Sequence, residues 1–193
     1  MKLMGVLSIA AVTAVLAGCT GSPPAEMKPM ASKNPMVGGA AMFESKNIIE
    51  NAVNSKDHTT LVAAVKAAGL VETLQGPGPF TVFAPVNSAF DALSAGAVSN
   101  LLKPENKAAL TKVLTCHVVG ANAMSFAIKK MIADDAGAHP VKTLGGCMLT
   151  ARYKGDKILL TDENGRTATV TIADVTQSNG VIHVIDTVLL PKH

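Results

Sequence analysis

The sequence predicts an α+β domain, with helices early and hairpins late. Three observations carry that expectation. Apolar residues recur at helical spacing from about residue 44 to about residue 132. After residue 139 the pattern changes to short, alternating, β-branched segments parted by tight-turn pairs. There is no internal repeat, so the 193 residues amount to one copy of one domain of ordinary size.

The elements follow in order. Glu44 to Lys56 suits a helix, with Ser45 as its cap and Ile48, Ile49, Ala52 and Val53 on one face. Thr59 to Ala68 suits a second, carrying Leu61, Val62 and Val65 and stopped by Gly69. Leu70 to Gln75 reads as a further helical turn, and Gly76-Pro77-Gly78-Pro79 as a loop. Phe80 to Ala84 is a strand that Pro85 stops, and Asn87 caps a short helix through Leu93. Pro104, at a first helical position, opens a helix over Glu105–Leu114. Cys116 to Val119 reads as a short strand, and Asn122 as the cap of a helix through Ile132. Strands are then expected at Val141–Leu144, Cys147–Tyr153, Lys157–Thr161, Thr167–Asp174 and Val181–Leu190. Lys154-Gly155-Asp156, Asn164-Gly165 and Asn179-Gly180 supply the turns between them.

The N-terminus is a separate matter. Met1-Lys2 is a positive start, and Leu3 to Ala17 is apolar and uncharged. That run is about 15 residues, shorter than the roughly 20 that span a bilayer, so it reads as a signal-peptide core. It ends in Leu16-Ala17-Gly18-Cys19, which resembles the bacterial lipobox. The resemblance implies cleavage before Cys19 and a diacylglycerol on its thiol, with acyl chains anchoring the protein to a membrane. Residues 1–18 are therefore expected to be removed. Residues 19–42, rich in Pro, Gly, Ser and Met, read as a lipid-anchored flexible linker, and residues 43–193 as the domain. The linker carries Met27, Met30, Met36 and Met42, soft donors that suit Cu(I). Their irregular spacing, without His or Cys, reads instead as composition. No metal and no cofactor is expected.

Composition excludes several functions. Hydrophobic residues make up 48% and charged residues 16%, so a disordered chain is excluded. The net charge of +3 has no concentrated basic stripe behind it, because Lys2, Lys28 and Lys33 precede the domain. With five Phe, one Tyr and no Trp, the chain lacks the stacking platforms of nucleic-acid binders, and no nucleic acid is expected as a partner. The same scarcity argues against a sugar-stacking groove. No Gly-x-Ser-x-Gly, His-Glu-x-x-His, phosphate-binding Gly-Lys-Ser/Thr or dinucleotide fingerprint is present, and no enzymatic activity is expected.

Three segments carry a family resemblance. They are Thr81-Val82-Phe83-Ala84-Pro85-Val86-Asn87-Ser88-Ala89-Phe90, then Leu114-Thr115-Cys116-His117-Val118-Val119, then Asn179-Gly180-Val181-Ile182-His183-Val184-Ile185-Asp186 running on to Leu190-Pro191. In this order they resemble the signatures of the fasciclin-like domain, with Cys116 where that family usually has Tyr. The resemblance covers about residues 43 to 193. It implies a β-wedge or sandwich with helices packed to one side. It also implies a non-enzymatic adhesion or ligand-binding module of the cell envelope, lipid-anchored at the outer membrane or a periplasmic face. Expected partners are surface or envelope proteins, or a matrix polysaccharide. The alternative is a periplasmic carrier of a small apolar ligand or metal, which a cavity lined by Met124, Met131 and Met148 would favour.

The signature residues also have readings of their own. Phe80 and Phe83, three apart on a strand, face opposite ways. His117 and His183 read as buried imidazoles with satisfied nitrogens, and they lack the paired spacing of zinc sites. His183 and Asp186, also three apart on a strand, cannot readily meet. The family resemblance implies partner contact at the segment holding His117, with Asn87 and His183 as the other candidate contacts. Cys116 and Cys147, left over once Cys19 is acylated, form either a disulfide in an oxidising compartment or two buried thiols. Lys154-Gly155-Asp156 reads as a hairpin bend despite its likeness to short adhesive tripeptides.

Overall fold

The computed structural model describes residues 34–93 and 96–192. Cys19, the signal segment, Met27 and Met30 lie outside the described residues.

The folded body starts before Phe43, which corrects the expected end of the linker. Met36–Val37 (β1) and Ala40–Ala41 (β2) pair as a small antiparallel hairpin around Gly38 and Gly39, both at positive φ. The Lys56 N–H donates to the Gly38 carbonyl at 3.1 Å, and a Cβ at Gly38 would collide with Ser55. Val37 and Met42 are buried in the core. Two apolar side chains within a Pro- and Gly-rich stretch thus suffice to dock it.

The helices of the first half are short. Ile48–Ala52 (α1) begins four residues later than expected, because Asn47 rather than Ser45 caps it. Asn47 Oδ1 accepts from the Glu50 N–H and Glu50 returns the bond, a reciprocal capping box. After a 3₁₀ turn at Lys56–His58 comes Thr59–Ala68 (α2), closed by Gly69 in the left-handed conformation. Val71–Gln75 (α3) follows. Phe80–Pro85 (β3) leads into Asn87–Asp91 (α4), then Ala97–Leu101 (α5). Pro104 opens a 3₁₀ turn, and Lys107–Thr115 (α6) continues from it. Val118–Val119 (β4) is shorter than expected, since Cys116 still belongs to the end of α6.

Ser125–Asp134 (α7) precedes the hairpins Ala138–Lys142 (β5), Met148–Lys154 (β6), Lys157–Thr161 (β7), Thr167–Gln177 (β8) and Gly180–Ile185 (β9). The seven-stranded sheet runs β4-β3-β9-β8-β7-β6-β5. Only β3 and β9 are parallel. β8 is shared: residues 167–169 pair with β7, and residues 170–177 pair with β9 through two irregularities of register. Such bulges increase local twist, and they turn one half of the sheet against the other.

The central strands divide the core by alternation. Val82, Ala84, Ile182 and Val184 face the layer of α1, α2, α3, α4 and α6. Phe83 and Ile185 face the other way, into a second cluster with Ile128 and Ile132 of α7, Leu149, Leu160 and Val170. Phe80 packs on the first cluster and Phe83 belongs to the second, opposite faces as the strand period requires. The fold is therefore α+β, a bent sheet with most of its helices on one side.

Candidate functional site

Thr81, His117 and His183, polar residues of the three signature segments, lie inside the domain. His117 follows α6 and is 3% exposed. Its Nδ1–H donates to the Val113 carbonyl at 2.8 Å, and its Nε2 accepts from the Leu189 N–H at 3.0 Å. Both nitrogens are used by the neutral ring. Burial lowers its pKa to about 4, the Val113 carbonyl and Asp162 opposing only in part.

His183, in the middle of β9, is fully buried. Its Nε2–H donates to the Ala123 carbonyl at 2.8 Å, and its Nδ1 accepts from the Asp174 N–H at 3.3 Å. The ring stacks on Phe83 with centroids 5.8 Å apart. Burial again pushes its pKa down, with Ala123 and Asp174 opposing. Thr81 completes the same attachment: its hydroxyl donates to the Ala121 carbonyl at 2.6 Å and accepts from the Ala123 N–H at 2.8 Å. Thr81 and His183 together pin the 121–123 segment to the sheet.

Asn87 does not cap its own helix, whose N-cap position is Val86. Its Oδ1 accepts from the Thr60 N–H at 3.1 Å and its Nδ2 donates to the Lys56 carbonyl at 2.8 Å. It therefore caps α2 from outside, joining the strand-to-helix turn to the helical layer. Asn179 does similar work. Its Oδ1 accepts from the Ile48 N–H at 3.1 Å, and its Nδ2 donates to the carbonyls of Leu74 and Gly76 at 2.8 and 3.0 Å. Gly78 and Gly180 permit this crossing, because a Cβ on either would strike backbone atoms of Asn179 or Phe80.

These positions revise the expected contact residues. The imidazoles of His117 and His183 are enclosed with both nitrogens engaged, so direct partner contact at either is replaced by an internal role. Asn87 is half-buried and fully employed. Sequence reasoning missed three further clamps. Asn51 exchanges bonds with the Phe43 backbone, and its Nδ2 also donates to Gln177 Oε1. Asp174, at positive φ in the irregular part of β8, accepts from both the N–H and the hydroxyl of Ser125, and so caps α7 in place of Asn122. Neither had a detectable sequence signal, because Gln177 and Ser125 lie 126 and 49 residues from the residues that hold them. The third, His58, is described below.

The structure joins Cys116 and Cys147 in a disulfide, with Cα atoms 5.4 Å apart. It ties the end of α6 to the turn before β6, where Thr143 holds Cys147 through its hydroxyl. Lys154 and Lys157 pair across the bend at Gly155 as a plain hairpin. Among the described residues no cluster of His, Cys, Asp and Glu could hold a metal ion. No helix among them is long and apolar enough to cross a membrane.

The main cavity is not where the methionines suggested. Met131 packs against the second cluster and Met148 is exposed. The cavity lies in the first cluster, between the helical layer and the sheet, and Met42 is the methionine on its wall. Its walls are almost wholly apolar, with Ser55, His58, Lys66 and His117 as the polar residues among them. His58 is 3% exposed; its Nδ1 pairs with the Ser55 hydroxyl at 2.9 Å, while its Nε2 has no hydrogen-bond partner. Burial lowers its pKa, and the Ala84 carbonyl lies close enough to oppose the shift without the geometry of a bond.

The family model of the Fasciclin domain matches residues 56–191. Protein sll1483 of Synechocystis is 45% identical over 95% of this chain and 96% of its own length. The cell surface glycolipoprotein MPB83 of Mycobacterium bovis is 32% identical over 83% of this chain and 68% of that protein. The structure of a FAS1 domain pair from the insect cell adhesion molecule Fasciclin I superposes with a TM-score of 0.52 at 23% identity. That match covers 67% of this chain and 43% of the pair, and it shows likeness of fold.

Proposed function

The chain belongs to the Fasciclin-domain family, and from that premise we propose that it is a non-enzymatic adhesion module, exported and held at a bacterial envelope by a lipid on Cys19. One observation carries the reading of the domain. The side chains that chemistry would draw on, His117 and His183, are enclosed and neutral, with both ring nitrogens occupied. Recognition then falls to the outer surface. Partners are envelope or surface proteins rather than sugars. Among the described residues Phe43 and Phe126 are the exposed aromatics, too few for a stacking groove. The anchor rests on the lipobox-like Leu16-Ala17-Gly18-Cys19 and agrees with the lipoprotein character in the name of the mycobacterial relative.

Two measurements test the proposal. Labelled palmitate should enter the wild-type protein in a bacterial host and be lost in Cys19→Ser, which should leave the membrane fraction. Equal membrane association of the two forms contradicts the anchor. Beads coated with the domain should bind host cells, with soluble domain competing. Beads that bind no better than albumin-coated ones contradict adhesion.

A further inference from the structure

The hairpin strands β5 to β8 bury one face and turn the other outward. Leu149, Ala151, Ile158, Leu160, Ala168 and Val170 are buried in the second cluster. The residues that alternate with them point the opposite way, by the two-residue period of a strand, and all are half-buried or exposed. Register decides what stands side by side there. Thr150 pairs with Thr161, and Thr161 with Thr167, so a row of hydroxyls crosses three strands. Arg152 pairs with Leu159 in the next row, and Lys154 with Lys157 beyond it. Lys142 stands opposite Met148 at the other end. From Met148 to Lys154 a strand rises about 20 Å. The result is a cationic stripe along β6 that no run of basic residues in the sequence announces, because pairing alone assembles it.

The charges of this face have no counterpart. Its outward positions hold Lys142, Arg152, Lys154 and Lys157 and no acid. Among the described residues none of the four forms an ion pair. Two of the bordering acids are engaged with backbone. Glu163 accepts from the N–H groups of Met148 and Lys192, and Asp186 from that of Thr169. The third, Asp156, sits in the bend beyond Gly155. Lys154 and Lys157 are directly opposite each other, a like-charge pair that opposes folding. An anion lying over the pair offsets that repulsion.

The spacing and the neighbours say which kind of anion fits. Arg152 and Lys154 are two apart on one strand, about 7 Å. An extended polypeptide repeats the side chains of one face at the same interval. Half-buried Leu159 and exposed Met148 interleave the cations and offer a polypeptide apolar contact. The face carries no aromatic on which a sugar ring could stack.

On the reading of the chain as an adhesion module for proteins, we propose that this face docks an extended acidic segment of the partner protein. Carboxylates on alternate residues of that segment lie over Arg152, Lys154 and Lys157, and the threonine row donates to the next one along.

The test titrates the full chain, by fluorescence anisotropy at low salt, with a labelled peptide of six Glu-Thr repeats. Binding should saturate, weaken as salt rises and be lost for the matching Gln-Thr peptide. Arg152→Glu with Lys157→Glu should weaken it about tenfold, with the circular dichroism spectrum unchanged. Lys56→Glu with Lys107→Glu changes the net charge equally at exposed positions of the helical part, and should weaken it less than about twofold. No saturable binding to the wild type overturns the proposal, as does equal weakening by the two double variants. Tighter binding to an alginate oligomer or to phosphatidylglycerol vesicles than to the peptide overturns the assignment to a protein partner. Beads coated with the Arg152→Glu and Lys157→Glu form should hold fewer host cells than wild-type beads. Equal adhesion of both overturns this face and leaves the adhesive reading standing. Adhesion by neither overturns that reading, and the peptide titration still decides the face.

Discussion

The two faces of the central strands are packed to different standards. On the side of α7, Phe83, Ile185 and the β6–β8 residues form one buried cluster, and both nitrogens of His183 are bonded. On the side of α1, α2 and α3, a cavity remains and a buried histidine nitrogen has no partner. The same type of residue, similarly hidden, is completed in His183 on one face and in His117 beside the cavity, and left open in His58. Family signature residues belong to the first kind. His58, which lies in none of the three signature segments, belongs to the second. The difference teaches that a buried imidazole is informative only after its two nitrogens are accounted for one by one.

The largest expected effect breaks the link between the faces. The disulfide closes a separation of 31 residues and joins the end of α6 to the hairpin side. Replacing both cysteines with serine should cost about 3–4 kcal/mol by loop entropy, read as a lower denaturant midpoint. Next comes acid. The folded-state pKa of His117, about 4, lies below its unfolded value of 6.5, so between them the unfolded chain binds more protons. That contribution is intact above pH 6.5 and is lost as pH falls toward 4, reaching about 3 kcal/mol at full effect. His58 and His183 are shifted the same way and add to the fall. Urea titrations at pH 7 and pH 4.5 measure it, and a stability that rises on acidification contradicts the account.

Single substitutions then sharpen the contrast. His183→Leu orphans the Ala123 carbonyl and the Asp174 N–H, and should cost about 2 kcal/mol. Asn87→Ala removes the external cap of α2 and should cost about 1 kcal/mol. His58→Phe removes a single bond, that of Nδ1 to the buried Ser55 hydroxyl, and should cost about 1 kcal/mol, less than His183→Leu despite similar burial. Thermal unfolding of the three variants side by side gives the ranking directly.

Much of this was legible in the sequence, and what was not has physical reasons. The α+β order, the strand at Phe80, the opposed Phe80 and Phe83 and the hairpin at Gly155 follow from period and turn chemistry. Capping residues were misassigned where the capping side chain comes from elsewhere: Asp174 rather than Asn122 caps α7 from across the sheet, and Asn87 caps α2 rather than α4. Long-range clamps leave no local spacing to read. The docking of residues 34–42 was hidden because Val37 and Met42 are isolated apolar residues in a stretch that reads as a tether. The cavity was invisible for a similar reason: His58 stands among polar neighbours in sequence, and only the fold brings it against Leu61, Val82 and Ala84.

The central claim is that the signature histidines build the domain and do not act at its surface. Nitrogen-15 NMR of the imidazoles across pH 7.5 to 4.5 tests it most directly. The account predicts neutral rings with the proton on Nδ1 of His117 and on Nε2 of His183, and His117 still mostly neutral at pH 5. Titration of both rings near pH 6.5 with rapid proton exchange, in a protein that stays folded, would contradict it.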